Sequence, residues 1–134
     1  MSSTSNAAGI LIQHKNKFLL CKRAVFGLPL DGLWCIPAGT QEEGEDTSHT
    51  ALRELYEETE ISLLPTDLGD FLTCEERSDR RGKFFLYHYC SPVLLHPTLN
   101  FEHEGYAYFT PSELPVAMLS STRDTILSLT TGQN

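Results

Sequence analysis

The sequence lacks an excess of positive charge. Its 134 residues include 10 Lys and Arg against 18 Asp and Glu, which gives a net charge of −8. Nucleic acids and anionic membranes are bound mainly through basic surfaces, so this balance argues against both as partners. An anionic small molecule would need a cation as an intermediary.

Long hydrophobic runs are also missing. No basic stretch precedes the short apolar run near the N-terminus, and that run is too brief for a signal peptide or a membrane span. We therefore expect a cytoplasmic protein. Met1 to Ser5 are small and polar, and we expect them to be flexible.

The cysteines and histidines show no metal-binding spacing. No CxxC pair is present, and no His stands at zinc-ligand spacing from a Cys. Each Cys lies in an apolar segment, which predicts reduced thiols in the core. The cysteines are Cys21, Cys35, Cys74 and Cys90, and the scattered histidines are His14, His49, His88, His96 and His103.

What the sequence does contain is typical of one globular domain. Hydrophobic residues make up 40% and charged residues 21%, with no repeat or low-complexity tract. The length suits a single domain over residues 1–134, and the chain could act as a monomer or a homodimer.

Apolar patterning predicts six strands and two helices. The predicted strands cover residues 7–13, 17–23, 33–36, 68–75, 84–90 and 106–109, and the predicted helices cover residues 47–59 and 121–129. The first two strands form a hairpin around Lys15 and Asn16, Ala38 and Gly39 make a turn, and strand 84–90 is central and buried. This order indicates an α/β (α+β) fold with a mixed β-sheet between helices.

An acidic stretch at residues 39–61 holds 8 of the 18 carboxylates. On a helix, Glu54, Glu57 and Glu58 share an arc of roughly 100°, while Leu55 and Tyr56 lie with other apolar residues on the opposite side. Three crowded like charges destabilise a helix unless a partner is present, and a divalent cation would supply one. A solvated acidic face is the alternative.

The spacing of this stretch resembles the signature of the Nudix hydrolase family. Eight of its nine defined positions match, and Glu60 stands where the family has Gly. Trp34 and Pro37 also resemble the family's approach to the motif. The matching residues are Gly39, Glu45, Arg53, Glu54, Leu55, Glu57, Glu58 and Ile61.

The resemblance implies a Nudix-like α/β/α sandwich that hydrolyses a diphosphate linkage in a nucleoside diphosphate derivative, with Mg2+ or Mn2+. The positions of Glu57 and Glu58 would be the main metal ligands, and Glu54 would be a further ligand or would support the base. Gly39 would offer its carbonyl oxygen. The substrate is then a nucleoside triphosphate or another small nucleotide, or alternatively a dinucleoside polyphosphate.

The alternative to an enzyme is a Nudix-like module that binds a nucleotide without catalysis, and Glu60 is the motif residue that favours it. Arg53 is expected to orient the carboxylates together with Glu45. Beyond the motif, the resemblance implies a distal acid that is a metal ligand or general base, and Glu102, which precedes His103, is the preferred candidate, with Glu104 as the other possibility.

Substrate contacts are less well marked in the sequence. Arg23 ends the second strand, where it would meet phosphate or solvate the strand end. Phe26, Tyr87 and Tyr106 are candidates for stacking on a nucleobase, with core packing as the alternative for each. A charged turn is either a solvated tip or a steering site for polyphosphate, and its cations are Arg77, Arg80, Arg81 and Lys83.

Overall fold

The computed structural model describes residues 5–77 and 81–131. Expectations for residues 1–4 and for Arg80 lie outside this range. The strands are β1 (Ala7–His14), β2 (Lys17–Arg23), β3 (Trp34–Cys35), β4 (Ala38–Thr40), β5 (Thr73–Glu76), β6 (Lys83–Cys90) and β7 (His103–Phe109). The α-helices are α1 (Thr47–Thr59) and α2 (Ser120–Thr131), and short 3-10 helices cover Pro65–Asp67 and Pro111–Glu113.

The strands form one mixed sheet in the order β3-β2-β1-β6-β5, with β4 paired to β1 and β7 paired to β2. The β1–β6 pair is parallel, and the other pairs are antiparallel. The predicted β1–β2 hairpin is confirmed, and Lys15 in its turn has a φ of 55°. A crossover that contains α1 connects the first four strands to the rest of the sheet.

Strand β1 explains the layering of the molecule, because side chains alternate between the two faces of a strand. Ile10 and Ile12 pack with Leu55 of α1. Leu11 points to the other face and packs in a cluster with Ile126 of α2. The predicted α/β/α sandwich with a mixed sheet between helices is therefore confirmed. Among the helices that the structure describes, we find none long and apolar enough to cross a membrane.

Strand β4 was not expected. Ala38 and Gly39 were predicted to turn the chain, but they pair with Gly9 and Ala8 of β1. This pairing joins segments far apart in sequence, so local residue preferences do not reveal it. Its consequence is that Gly39 lies on the sheet directly beside α1.

The prediction that all four cysteines lie in the core is wrong for Cys74 and Cys90, which are both exposed. Cys74 lies on β5, at the edge of the sheet, and Cys90 is the last residue of β6. Strand β6 is second from the edge of the sheet and, contrary to the prediction, is not buried along its whole length. Of its residues, Leu86 and Tyr87 are buried.

Helix α1 occupies the predicted residues Thr47–Thr59. Its N-cap is Asp46, whose side chain accepts a hydrogen bond of 2.9 Å from the backbone N–H of His49. That bond lowers the pKa of Asp46. The prediction that Tyr56 lies on the packed side of this helix is wrong, because the side chain is exposed to solvent.

Glu60, the residue that departs from the motif, is the C-cap of α1 and has a left-handed backbone with a φ of 60°. Because this conformation strains a side chain and suits glycine, we expect Glu60→Gly to raise the free energy of unfolding by about 1 kcal/mol. Urea denaturation measures the change. The control is Ser62→Gly, at an exposed position without positive φ, which should lower stability. Equal changes in the free energy of unfolding for both substitutions would contradict backbone strain at Glu60.

Candidate active site

The site forms around Glu58, a carboxylate in the last turn of α1 that is only 2% exposed. Burial raises the pKa of Glu58 well above its ordinary value, and the nearby carboxylates of Glu54 and Glu102 raise it further. Its Oε2 atom is buried without a hydrogen-bond partner. A buried acid surrounded by other acids is unfavourable for the fold, and such groups are common at functional sites.

Gly39 allows α1 to bring a second carboxylate to the sheet. A Cβ atom at this position would overlap the carboxylate group of Glu54. The glycine is therefore required by the close approach of β4 and α1. Its own φ is not in the left-handed region.

Arg53 lies at the centre of a carboxylate network on the outer side of α1. Its Nε donates to Glu45 Oε2 at 2.7 Å, and its Nη1 donates to Glu54 Oε2 at 2.9 Å and to Glu57 at 3.3 Å. Its Nη2 donates to the carbonyl oxygen of Thr40 at 3.0 Å. These charge-assisted bonds raise the pKa of Arg53 and lower the pKa of Glu45 to about 2. The expected Arg53–Glu45 pair is present.

The three glutamates of the motif differ in environment. Glu58 is buried, Glu54 has a side chain that is 14% exposed, and the side chain of Glu57 is 51% exposed. Glu57 is turned toward Arg53. Among the residues that the structure describes, no three acidic, His or Cys side chains already form a cluster that could hold a metal ion. A cation at Glu58 would therefore draw the neighbouring carboxylates of Glu54 and Glu57 closer to it.

A loop before β7 brings Glu102, rather than Glu104, to the acidic end of α1. The charge of Glu102 acts on Glu58, and Asn100 fixes the loop by donating to the backbone oxygen of Glu57 at 3.0 Å. The backbone N–H of Glu102 donates to Asn100 Oδ1 at 2.9 Å. Glu104 is exposed and forms an ion pair of 3.4 Å with Lys22. Of the two candidates for the distal acid, the geometry favours Glu102.

Arg23 points into the molecule at this end of the sheet. Its Nε is buried without a hydrogen-bond partner, and its guanidinium contacts the thiol of Cys35. Its charge also acts on His103. One of the two interpretations from the sequence was that Arg23 solvates the end of the strand. The structure does not agree with it, because the Nε atom is buried.

The three aromatic candidates lie in different environments. Tyr87 is 5% exposed and hydrogen-bonds to the hydroxyl of Thr47 at 2.7 Å, which argues against the predicted contact with a base. Tyr106 is partly buried and packs against the core cluster on the α1 side. Phe26 is 60% exposed and meets Phe101 edge to face, with ring centroids 6.3 Å apart.

Phe101 was not identified from the sequence, although it is 77% exposed and adjacent to Glu102. A backbone hydrogen bond of 3.0 Å from Ala24 to Glu102 holds the loop of Phe26 against the loop of Phe101. Asn100 and Cys35 were missed as well. An exposed Phe beside a candidate acid was the available signal for Phe101, whereas the other two depend on contacts between distant segments.

The donor set fits a hard divalent cation. Carboxylate and carbonyl oxygens are the ligands that Mg2+ prefers, and Glu58 offers a buried Oε2 atom without another partner. A cation would also offset the repulsion from Glu54 and Glu102, which adds to burial in raising the pKa of Glu58. The residues present therefore suit such an ion.

Comparison with known proteins gives consistent results. A family model described as the NUDIX domain matches residues 3–129. The nucleoside triphosphatase NudI of Escherichia coli (strain K12) is 29% identical over 113 residues, which cover 78% of this chain and 80% of that protein.

Two solved structures are similar in fold. The MutT protein from Methanosarcina mazei Go1 has a TM-score of 0.81 at 19% identity, with 99% of this chain and 97% of that chain covered. A C. elegans Ap4A hydrolase binary complex has a TM-score of 0.70 at 22% identity, with coverage of 93% and 96%.

Proposed function

The chain belongs to the Nudix hydrolase family, and we propose that it is a divalent-metal-dependent pyrophosphohydrolase that acts on nucleoside triphosphates. It is thus a hydrolase of phosphorus-containing anhydrides, in a family that acts on small nucleotides and generally uses divalent metal ions. The triphosphate substrate is favoured by the relative named a nucleoside triphosphatase, which matches most of this chain.

One observation supports this function most directly, namely the buried Glu58 with an unpaired Oε2 among Glu54 and Glu102. A carboxylate used only to stabilise the fold would have a cationic or hydrogen-bonding partner on each oxygen. The arrangement instead leaves an oxygen free at the place where negative charges converge. Such a site binds a cation and, through it, a polyphosphate.

The residues of the site would have two roles, metal binding and proton transfer. Glu54, Glu57, Glu58 and the carbonyl oxygen of Gly39 would hold Mg2+ or Mn2+, which when bound neutralises phosphate charge and activates water. Glu102, held by its loop, would be a further ligand or the general base that accepts a proton from the attacking water.

Arg53 would orient the ligands from outside the site. Its bonds to Glu45 and the Thr40 carbonyl fix the guanidinium independently of Glu54 and Glu57, the carboxylates it would position. Arg23 would meet the phosphates only if its side chain left Cys35.

The exposed Phe26–Phe101 pair would supply the surface for the nucleobase. Base stacking on an aromatic ring contributes about 1–3 kcal/mol, so we expect Phe101→Ala to raise KM about tenfold and to change kcat less than about twofold. Steady-state kinetics measures both. Val116→Ala is the matched control, because Val116 is an exposed apolar residue, at 95%, outside the site. An unchanged KM for both Phe101→Ala and Phe26→Ala would contradict the assignment.

A panel of nucleotides, each with Mg2+ and with Mn2+, tests the function. We expect metal-dependent hydrolysis of nucleoside triphosphates to monophosphate and pyrophosphate, identified by mass. Two nucleotides released from a dinucleoside polyphosphate would instead identify the alternative enzyme. Folded protein without turnover on the whole panel would favour the binding module. Glu60, the motif residue that suggested such a module, lies at the C-cap of α1.

A further inference from the structure

Two side chains that the proposed reaction does not use lie behind Glu58. The side chain of His103 is 1% exposed, and its Nδ1 atom is 3.7 Å from Glu58 Oε1. On the other side of the ring, Nε2 is 3.6 Å from the Sγ atom of Cys35. These contacts join β3, β7 and the last turn of α1 in one buried polar row.

The row contains unsatisfied atoms at the point where His103 faces Glu58. His103 Nδ1 and Glu58 Oε2 are both buried without a hydrogen-bond partner. The separation of 3.7 Å between His103 Nδ1 and Glu58 Oε1 exceeds a hydrogen bond of about 2.9 Å, and a small rotation of the Glu58 side chain would close it. Buried polar atoms are rarely left unpaired, so this contact requires an explanation.

The position of the ring hydrogen follows from the neighbours of His103. Each ring nitrogen faces one polar group, Glu58 Oε1 at Nδ1 and the Cys35 thiol at Nε2. The thiol of Cys35 can donate to the carbonyl oxygen of Cys21 at 3.6 Å, and its Sγ atom also lies 3.6 Å from His103 Nε2. If the thiol donates to Nε2, the ring hydrogen must be on Nδ1, where it faces Glu58.

A nucleophilic role for Cys35 does not fit this environment. Cysteine, histidine and glutamate in a row also occur where a thiolate attacks substrate. Here, however, burial raises the pKa of the Cys35 thiol to about 12, so the thiol stays protonated and is a donor. Because the row ends at Glu58, we take the Glu58 carboxylate to be the group that Cys35 and His103 position.

We propose that His103 is a positioning residue for the metal-binding carboxylate, with its Nδ1–H holding Glu58 Oε1 so that Oε2 faces the cation. This inference rests on the proposed function, since it assigns Glu58 as a ligand. Ligand orientation by a buried hydrogen bond typically changes metal affinity about 10–100-fold.

Two substitutions separate this role from packing. The amide nitrogen of Asn is attached as Nδ1 is in His, whereas the amide of Gln reaches the place of Nε2. We expect His103→Gln to weaken Mn2+ binding to the nucleotide-free protein about tenfold, and His103→Asn to keep the affinity within about threefold. Electron paramagnetic resonance of free Mn2+ gives the dissociation constants, and thermal denaturation shows that each variant is folded.

The outcomes distinguish the inference from the function. Wild-type protein that binds no Mn2+ would overturn both. If the wild type binds Mn2+ and the Gln and Asn variants bind it equally well, or equally poorly, the positioning role alone is wrong.

The ring tautomer provides a test that needs no substitution at His103. In the Mg2+-loaded wild type, long-range 1H–15N correlation spectra should show His103 protonated at Nδ1 and bare at Nε2. Cys35→Ala removes the thiol donor and should weaken Mn2+ binding a few-fold, whereas Cys35→Ser keeps a donor and should bind like the wild type. A ring protonated at Nε2 in the Mg2+-loaded protein would overturn the proposal.

Discussion

Replacing Glu58 with Gln is expected to lower kcat by about a thousandfold while leaving the protein as stable as the wild type or more so. The loss follows because a metal ligand contributes several kcal/mol to charge stabilisation in phosphoryl transfer, and each 1.36 kcal/mol is a factor of ten. Stability should not fall, since Glu58 is 2% exposed and is surrounded by like charges that raise its pKa. A neutral isostere removes that repulsion.

Activity and stability of Glu58→Gln should therefore be measured together, by single-turnover kinetics and by urea denaturation. Glu57→Gln is the informative comparison, because this side chain is 51% exposed. It should abolish turnover without raising stability. Glu43→Gln, at an exposed acid outside the site, should change neither. Full activity of Glu58→Gln, or its unfolding, would show that the carboxylate serves the fold instead.

The parts of the site within one element could be predicted from the sequence. Helix α1 begins and ends at the expected residues because Asp46 is a suitable cap and the apolar spacing is regular. The Arg53–Glu45 pair also follows the spacing of the motif. Local geometry determines these features, so one segment contains enough information to predict them.

Features that depend on contacts between distant segments could not be predicted. Strand β4 forms through pairing with β1, and the row from Cys35 to Glu58 joins three elements. Burial of aromatic residues was equally unpredictable, since Tyr87 is packed beneath α1 whereas Phe26 is exposed. Sequence patterning shows which residues are apolar, but the assembled sheet decides which of them water can reach.

Replacing Arg53 with Ala is the second large effect that we expect. Arg53 holds Glu45, Glu54 and Glu57, and its side chain is 22% exposed. Removing one partner from a largely buried charge network costs about 3–5 kcal/mol, and the remaining exposure reduces this to about 2–4 kcal/mol. Activity should fall at least about a hundredfold, because the ligands lose their orientation. Arg53→Lys keeps the charge without the planar fork and should be intermediate.

The pH dependence of stability should identify Glu45 as the main partner of Arg53. The pKa of Glu45 is lowered to about 2 in the folded protein, against about 4.3 for an unperturbed Glu. Its contribution to stability is therefore present above pH of about 4.3 and is lost as the pH falls toward 2. We expect the difference in unfolding free energy between wild type and Arg53→Ala to shrink over that interval. If denaturation at several pH values gives a constant difference, Arg53 acts mainly through its packing and its bond to Thr40.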